Sequence, residues 1–190
     1  MMEDIIIVGY GGHAKSIADC IERQKIYRIA GYTDFKKNES SYHYLGSDEM
    51  LEEIYNNGIK KAVVGIGYMG NGNLREKLYD RLKKIGYILP VIIDPTAIIS
   101  DTVKLSEGVF VGKGAIINVD AVVEKMAIIN TRALIEHECY VGEYTHIAVG
   151  AVLCGQVKVG ESCFVGANST IIQQRKVDAY SIIPAGVTVR

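Results

Sequence analysis

The stretch Ala121-Val-Val-Glu-Lys-Met-Ala-Ile-Ile-Asn-Thr-Arg-Ala-Leu-Ile-Glu-His-Glu-Cys-Tyr-Val141 decides the fold. Val123, Ile129, Ile135 and Val141 recur every six residues, and two positions before each stands a small side chain, Ala121, Ala127, Ala133 or Cys139. Followed in both directions, the aliphatic position runs without a break from Ile99 to Val189, sixteen aliphatic residues in sixteen repeats. The residue after it is often glycine, as at Gly112, Gly142, Gly160 and Gly166. A fixed internal period marks a solenoid, because each repeat is too small to bury its own apolar side and must stack on its neighbours. Three hexads per coil give a parallel β-helix, with the aliphatic side chains inward, each over its counterpart 18 residues away, and the small residue at the tight corner. A meander of antiparallel strands would instead show hairpin turns and a period of two. Ala97 to Val189 is 93 residues, about five such coils. A prism this narrow has flat apolar faces, which predicts a homo-oligomer.

The composition agrees with a core built from aliphatic residues. Of 190 residues 48% are hydrophobic, yet there is no Trp, 3 Phe and 3 Pro, against 20 Gly. Lys and Arg number 21 and Asp and Glu 22, a net charge of −1, which gives no basic surface for nucleic acid. No apolar run approaches the roughly 20 residues that span a bilayer, and Met1 to Tyr10 lacks the pattern of a secretory signal. A cytoplasmic protein is expected. Cys20, Cys139, Cys154 and Cys163 form no CxxC pair, so reduced, buried thiols are expected rather than disulfides or zinc.

Before the repeat the chain alternates strands and helices, dividing it into a domain at 1–93 and a β-helix at 94–190. Ile5 to Val8, Arg28 to Thr33 and Lys61 to Ile66 read as buried strands, and Ala14 to Gln24 as an amphipathic helix. Ser47 is the expected N-cap of a helix reaching about Asn57, with Asp48 and Glu49 in its first turn. After Gly67-Tyr-Met-Gly-Asn-Gly72 a third helix, Leu74 to Ile85, sets Leu74, Leu78 and Leu82 on one face. Alternating strands and helices give a parallel α/β unit, half of a Rossmann-like domain. Val8-Gly-Tyr-Gly-Gly-His-Ala-Lys15 joins the first strand to the first helix, where backbone amides and a helix N-terminus suit a phosphate. Gly9, Gly11 and Ala14 formally fit a dinucleotide fingerprint, and Asp34 follows where a ribose-binding acid would. The unit is too small for a second mononucleotide half, which argues against a redox protein using NAD.

The hexads resemble those of the hexapeptide-repeat acyltransferases, which fold as left-handed β-helices. The segment Asn130-Thr-Arg-Ala-Leu-Ile-Glu-His-Glu-Cys-Tyr-Val-Gly-Glu-Tyr-Thr-His146, together with the glycine loop, resembles the bacterial nucleotide-sugar acetyltransferases. These comprise sialic-acid O-acetyltransferases and N-acetyltransferases of UDP-linked 4-amino-sugars. The resemblance implies acetyl-CoA as cosubstrate and a homotrimer with its active site between subunits. It makes His137 the general base and Glu138 its orienting acid; from the residues alone Glu136 is an equal rival, since neighbours on a strand point oppositely unless a corner intervenes. On the coenzyme side it implies His146, from the neighbouring subunit, and Ala167. Gly155, one coil from His137, would leave room for the pantetheine arm and offer its amide to the thioester carbonyl. Gly11, Gly12 and His13 would hold the diphosphate, with Asp34 at the uridine and Gly67 a further contact.

An imidazole ordinarily titrates near neutrality and can take the proton that an attacking amine or hydroxyl loses, while a carboxylate on its other nitrogen fixes the tautomer. The sequence therefore predicts N-acetylation of a UDP-linked amino-sugar by direct transfer, with O-acetylation of sialic acid or another sugar as the alternative. A non-catalytic nucleotide-sugar-binding protein is the alternative of another class. No metal is expected, because only His137 and His146 lie in the repeat and zinc would need a third imidazole. Cys139 and Cys154 flank the segment and raise an acyl-cysteine route, which direct transfer makes unnecessary.

Overall fold

A computed structural model describes residues 2–68 and 73–190. The chain forms two compact units, Met1–Pro90 and Val91–Arg190.

In the first unit, strands β1 (Glu3–Val8), β2 (Tyr27–Thr33) and β3 (Lys61–Val64) form a parallel sheet in the order β2-β1-β3. The central strand is the apolar one: Ile5, Ile6 and Ile7 are wholly buried, as a strand covered on both faces requires. Helix α1 (Gly12–Gln24) returns the chain from β1 to β2 and buries Ile17, Cys20 and Ile21. The helix expected from Ser47 begins differently. Ser47 makes no side-chain cap; a 3-10 turn, Asp48–Met50, precedes α2 (Leu51–Asn56). Asp48 is drawn to the Thr33 hydroxyl at 2.7 Å, so its carboxylate ties this turn to the end of β2. In α3 (Asn73–Ile85) Leu78 and Leu82 are buried, whereas Leu74, expected on the same face, is 47% exposed. The part of the Gly67–Gly72 loop beyond Tyr68, namely Met69, Gly70, Asn71 and Gly72, lies outside the described residues.

The second unit is a left-handed parallel β-helix of about five turns. Seventeen two-residue strands form three parallel sheets of six, six and five. The first face runs from Ile92–Ile93 to Ile182–Ile183, the second from Ile98–Ile99 to Thr188–Val189, and the third from Lys104–Leu105 to Lys176–Val177. Every pairing links residues 18 apart, as in Ile129 with Ile147 and Ile135 with Leu153. The solenoid thus starts one strand before the repeat read from Ala97, because Ile92–Ile93 pairs with Phe110–Val111. The expected inward column forms the core, fully buried through the middle and half-buried only at the ends, at Ile99, Leu105, Ile183 and Val189.

The corner differs from expectation in one respect. The small residues Ala121, Ala127, Ala133 and Cys139 point into the core, and the turn is made by the residue before each. Asp120, Met126, Arg132 and Glu138 adopt left-handed φ of 55–58°. Small side chains are needed because the interior narrows beside the turn, not to permit the turn itself. Nor does the glycine after the aliphatic residue turn the chain: a Cβ on Gly142 would lie 2.5 Å from the Glu161 backbone nitrogen in the next coil.

Ile135 is fully buried between Ile117 and Leu153 of adjacent coils. Truncation to Ala leaves a cavity that the stacked coils cannot close, so Ile135→Ala is expected to cost about 3 kcal/mol in a denaturant melt.

Candidate functional site

In the first unit the glycine loop closes around Asp34. Gly9, at φ 81°, turns the chain out of β1. The Asp34 carboxylate then accepts the Tyr10 N–H at 2.9 Å, the Phe35 N–H at 2.7 Å and the Asn38 side-chain amide at 2.7 Å. The Tyr10 ring stacks on Tyr32 at 4.3 Å between centroids. These contacts leave an open cavity of about 460 Å³ at the head of α1, lined by Gly11, Gly12, His13, Asp34 and Gly67 among others. All five residues expected to hold substrate there share it. A Cβ on Gly11 or Gly12 would meet nothing within 4 Å, so both glycines open onto the cavity. No side chain caps α1 and its first turn carries no acid, which leaves the positive end of the helix dipole at the cavity. Phe35, 82% exposed, lines it too, with Ile66 and Leu74. The sequence reading places none of these apolar residues at the site, Leu74 being assigned there to the buried face of the third helix; an aromatic directly after Asp34 in an otherwise polar loop is the available signal.

His13 is half-buried, but its Nε2 is sealed from solvent. Burial, and secondarily the positive charge of the buried Arg75, pushes its pKa down to about 4. The ring is therefore neutral at neutral pH.

In the β-helix the structure brings His137, Glu138 and Gly155 together at one corner. Glu138 is the carboxylate beside the ring, its Oε2 3.1 Å from His137 Nδ1. Glu136 turns away, accepting the Asn118 amide at 3.0 Å and the His137 backbone N–H at 3.3 Å. The left-handed turn at Glu138 explains the choice, since it breaks the alternation that would send neighbouring side chains to opposite sides. Hydrogen bonds from His137 and then Gln156 hold the Glu138 carboxyl below the ordinary carboxylate range, so it is ionised and His137 Nδ1–H donates to it. In the neutral ring Nε2 carries the lone pair. It lies over Gly155, where a Cβ would sit against Nε2 and 2.6 Å from Cε1.

His146 is not at that corner. It stands on a strand of the first face, buried, with its ring edge-on to Phe164 at 5.3 Å. Asn130 Oδ1 accepts the Thr131 N–H at 2.8 Å, so the Asn130 amide nitrogen is what faces His146 Nε2 at 3.0 Å. Nε2 is therefore an acceptor, and the proton of neutral His146 sits on Nδ1. Ala167, half-buried, follows the strand Phe164–Val165 of the same face. Cys139 donates to the Cys154 carbonyl at 3.1 Å, and burial pushes its thiol up to about 11, which leaves it protonated and unreactive at neutral pH. All four cysteines are free. Among the described residues no group of three or more His, Cys, Asp or Glu is arranged to hold a metal ion, and no helix is long and apolar enough to cross a membrane.

A left-handed β-helix that follows a glycine-loop α/β unit is an acyltransferase fold, and the protein is an acyltransferase. Residues 4–82 match the family described as PglD N-terminal domain. The chain is similar to a histidine-to-alanine mutant of GDP-perosamine N-acetyl transferase from Caulobacter crescentus, solved with CoA and GDP-perosamine: 29% identity, TM-score 0.90, covering 100% of this chain and 90% of that one. It is also similar to the acetyltransferase domain of PglB from Neisseria gonorrhoeae: 25% identity, TM-score 0.92, covering 99% and 91%. The complex of that domain with acetyl coenzyme A matches at 25% identity, TM-score 0.85, covering 100% and 96%. Over its whole length the chain is thus similar to nucleotide-sugar N-acetyltransferases built on hexapeptide repeats.

Folding makes the His13 ring harder to protonate. Unfolded, an imidazole protonates near its ordinary pKa of 6.5, while the folded ring resists protonation until about 4. Stability should fall as pH drops from 6.5 to 4, by at most roughly 3 kcal/mol, and level off below. Denaturant midpoints measured against pH check this, and His13→Gln should flatten that part of the profile.

Proposed function

We propose that the protein is an acetyl-CoA-dependent N-acetyltransferase of a UDP-linked amino-sugar, acting by direct transfer with His137 as general base. The observation that carries the reading is the His137 imidazole, held through Nδ1 by ionised Glu138 with Nε2 turned over the bare backbone of Gly155. Nε2 takes the proton the amine loses as its nitrogen bonds to the acetyl carbon, and returns it to the thiolate when the carbon–sulfur bond breaks. Glu138 stabilises the imidazolium between those steps. Gly155 gives the thioester space and an amide for its carbonyl. In the α/β unit, Gly11, Gly12 and His13 at the α1 N-terminus take the diphosphate, Asp34 faces the nucleoside, and Gly67 completes the cavity wall.

The second face of the β-helix supports a homotrimer. Its outward column begins with Ile98, Ile116, Leu134 and Val152, of which Ile98 is 65% and Ile116 38% exposed, and ends in Thr170 and Thr188. An aliphatic stripe of this kind is what a neighbouring copy would cover, and in a trimer His146 and Ala167 serve the coenzyme site of the next subunit. Acetyl-CoA and free thiols suit the cytoplasm. A GDP-linked amino-sugar is the second reading, favoured by the likeness to GDP-perosamine N-acetyl transferase.

A thiol-release assay with acetyl-CoA and a panel of UDP- and GDP-linked amino-sugars tests the assignment, with sialic acid as the hydroxyl acceptor. His137→Ala is expected to lower kcat by about a thousandfold while nucleotide binding by calorimetry and particle size are retained; near-normal turnover overturns the role. A second variant probes the geometry. Gly155→Ala must push the imidazole aside, so kcat should drop by at least about tenfold with little change in melting temperature.

A further inference from the structure

The corner that carries His137 is built alike in four successive coils, the first turning at Asp120 with φ of 57°. Glu138, Gln156 and Gln174 stand 18 residues apart and share a left-handed backbone, with φ of 58°, 62° and 62°. Their backbones are locked together: the Gln156 N–H donates to the His137 carbonyl at 2.9 Å, and the Gln174 N–H to the Gly155 carbonyl at 3.0 Å. Identical backbones one coil apart send their side chains the same way, and the side chains join. Gln174 Nε2 donates to Gln156 Oε1 at 2.9 Å, and Gln156 Nε2 donates to Glu138 Oε2 at 3.0 Å. That is the same oxygen that lies 3.1 Å from His137 Nδ1.

We propose that Gln156, held by Gln174, is a positioning residue that fixes the Glu138 carboxylate and thereby the orientation and basicity of His137 Nε2. The inference rests on His137 as the general base. It is needed because the pair stands in water: the His137 and Glu138 side chains are 49% and 52% exposed. A solvated contact between flexible side chains holds neither partner firmly, and glutamate loses much rotamer freedom when it is fixed. A second donor on the same oxygen removes that freedom from the far side. Its neutrality matters as much as its reach. The surrounding cavity, about 530 Å³, is lined by Lys158, Arg175 and Lys176 together with Glu138 and the two glutamines. Two other acids stand by the pair: Glu136, engaged with Asn118 and the His137 backbone, and Asp120, one coil before Glu138 in the same column. A cation in place of Gln156 would compete with the imidazolium for Glu138, and an acid would repel the carboxylate. An amide orients it and does neither. The direction is set by Glu138: an ionised carboxylate only accepts, so Gln156 must turn its NH2 toward it, and its Oε1 is left to accept from Gln174 one coil further on.

The experiment compares wild type, Gln156→Met, Gln156→Glu, Gln174→Met, Glu138→Gln and His137→Ala in the thiol-release assay across pH. Gln156→Met should lower kcat by about three- to tenfold with both KM values unchanged, the worth of one lost hydrogen bond. The acidic limb of its kcat/KM profile should move to lower pH, because a loosened carboxylate supports the imidazolium less. Gln156→Glu should move that limb to higher pH, and Gln174→Met should repeat the Gln156→Met effect in weaker form, including where Gln156→Met melts early. In a Glu138→Gln background Gln156→Met should cost nothing further. Wild-type kcat and pH profile in both methionine variants, or an undiminished loss in the Glu138→Gln background, overturns the proposal. If His137→Ala keeps its turnover, the base assignment itself falls; if His137→Ala is inactive and the methionine variants behave as wild type, only the positioning role falls.

Discussion

The interaction on which the β-helix depends is the backbone ladder between coils, in which the strand amides of one coil bond to carbonyls of the adjacent coil. The ladder tolerates no drift. Ile128, Leu134 and Tyr140 each donate to the residue 17 positions later at 2.9 Å, so a coil with one residue more or fewer would break the bonds on all three faces. The period of six follows, with two strand residues per side and a corner whose turning residue takes left-handed φ. Most of those residues are not glycine; Arg132, Glu138 and Tyr144 accept the strain of that region because ladders on both sides of the corner hold them there.

The same constraint makes the site. A strict register turns a one-dimensional spacing into a column, so a residue 18 positions from another lies directly over it. That is why Gly155 sits beneath the His137 ring and why the glutamines rise from Glu138 in a row. In a fold without a fixed period, an imidazole, its carboxylate and a bare backbone would have to be gathered from unrelated segments. Here they come from two adjacent coils, and a rigid core beneath them fixes their geometry.

Legibility in the sequence tracked this periodicity. The inward aliphatic column, the three-sided coil and the His137 to Gly155 pairing followed from counting, because the ladder enforces counting in three dimensions. What counting could not reach were decisions made by local competition. Glu138 rather than Glu136 faces the imidazole because the turn reverses strand alternation, and nothing in Glu-His-Glu marks which residue turns. Ser47 looked like a helix cap, but the Thr33 hydroxyl claims Asp48 and a 3-10 turn starts the segment instead. Leu74 continues a helical stripe by spacing, yet it stands in the wall of the cavity beside the glycine loop. Periodicity predicts the side a residue occupies, not whether that side is covered.

The N-terminal unit works by the opposite logic, since its site depends on single contacts that no repeat duplicates. Asp34 was expected to contact the nucleoside, as an acid after the second strand does in dinucleotide folds. In the structure its carboxylate is already engaged three times, by Tyr10, Phe35 and Asn38, so it holds the loop in shape before any ligand arrives. A carboxylate has about four lone-pair sites, so one remains for a ligand hydroxyl. In the proposed reading Asp34 couples loop shape to ligand contact, and its loss would disturb both at once. The helix amides at Gly11 and Gly12 have no such second duty. No side chain caps the helix there and a Cβ on either glycine would meet nothing within 4 Å, so their amides face the cavity without a competing partner on the side chains around them.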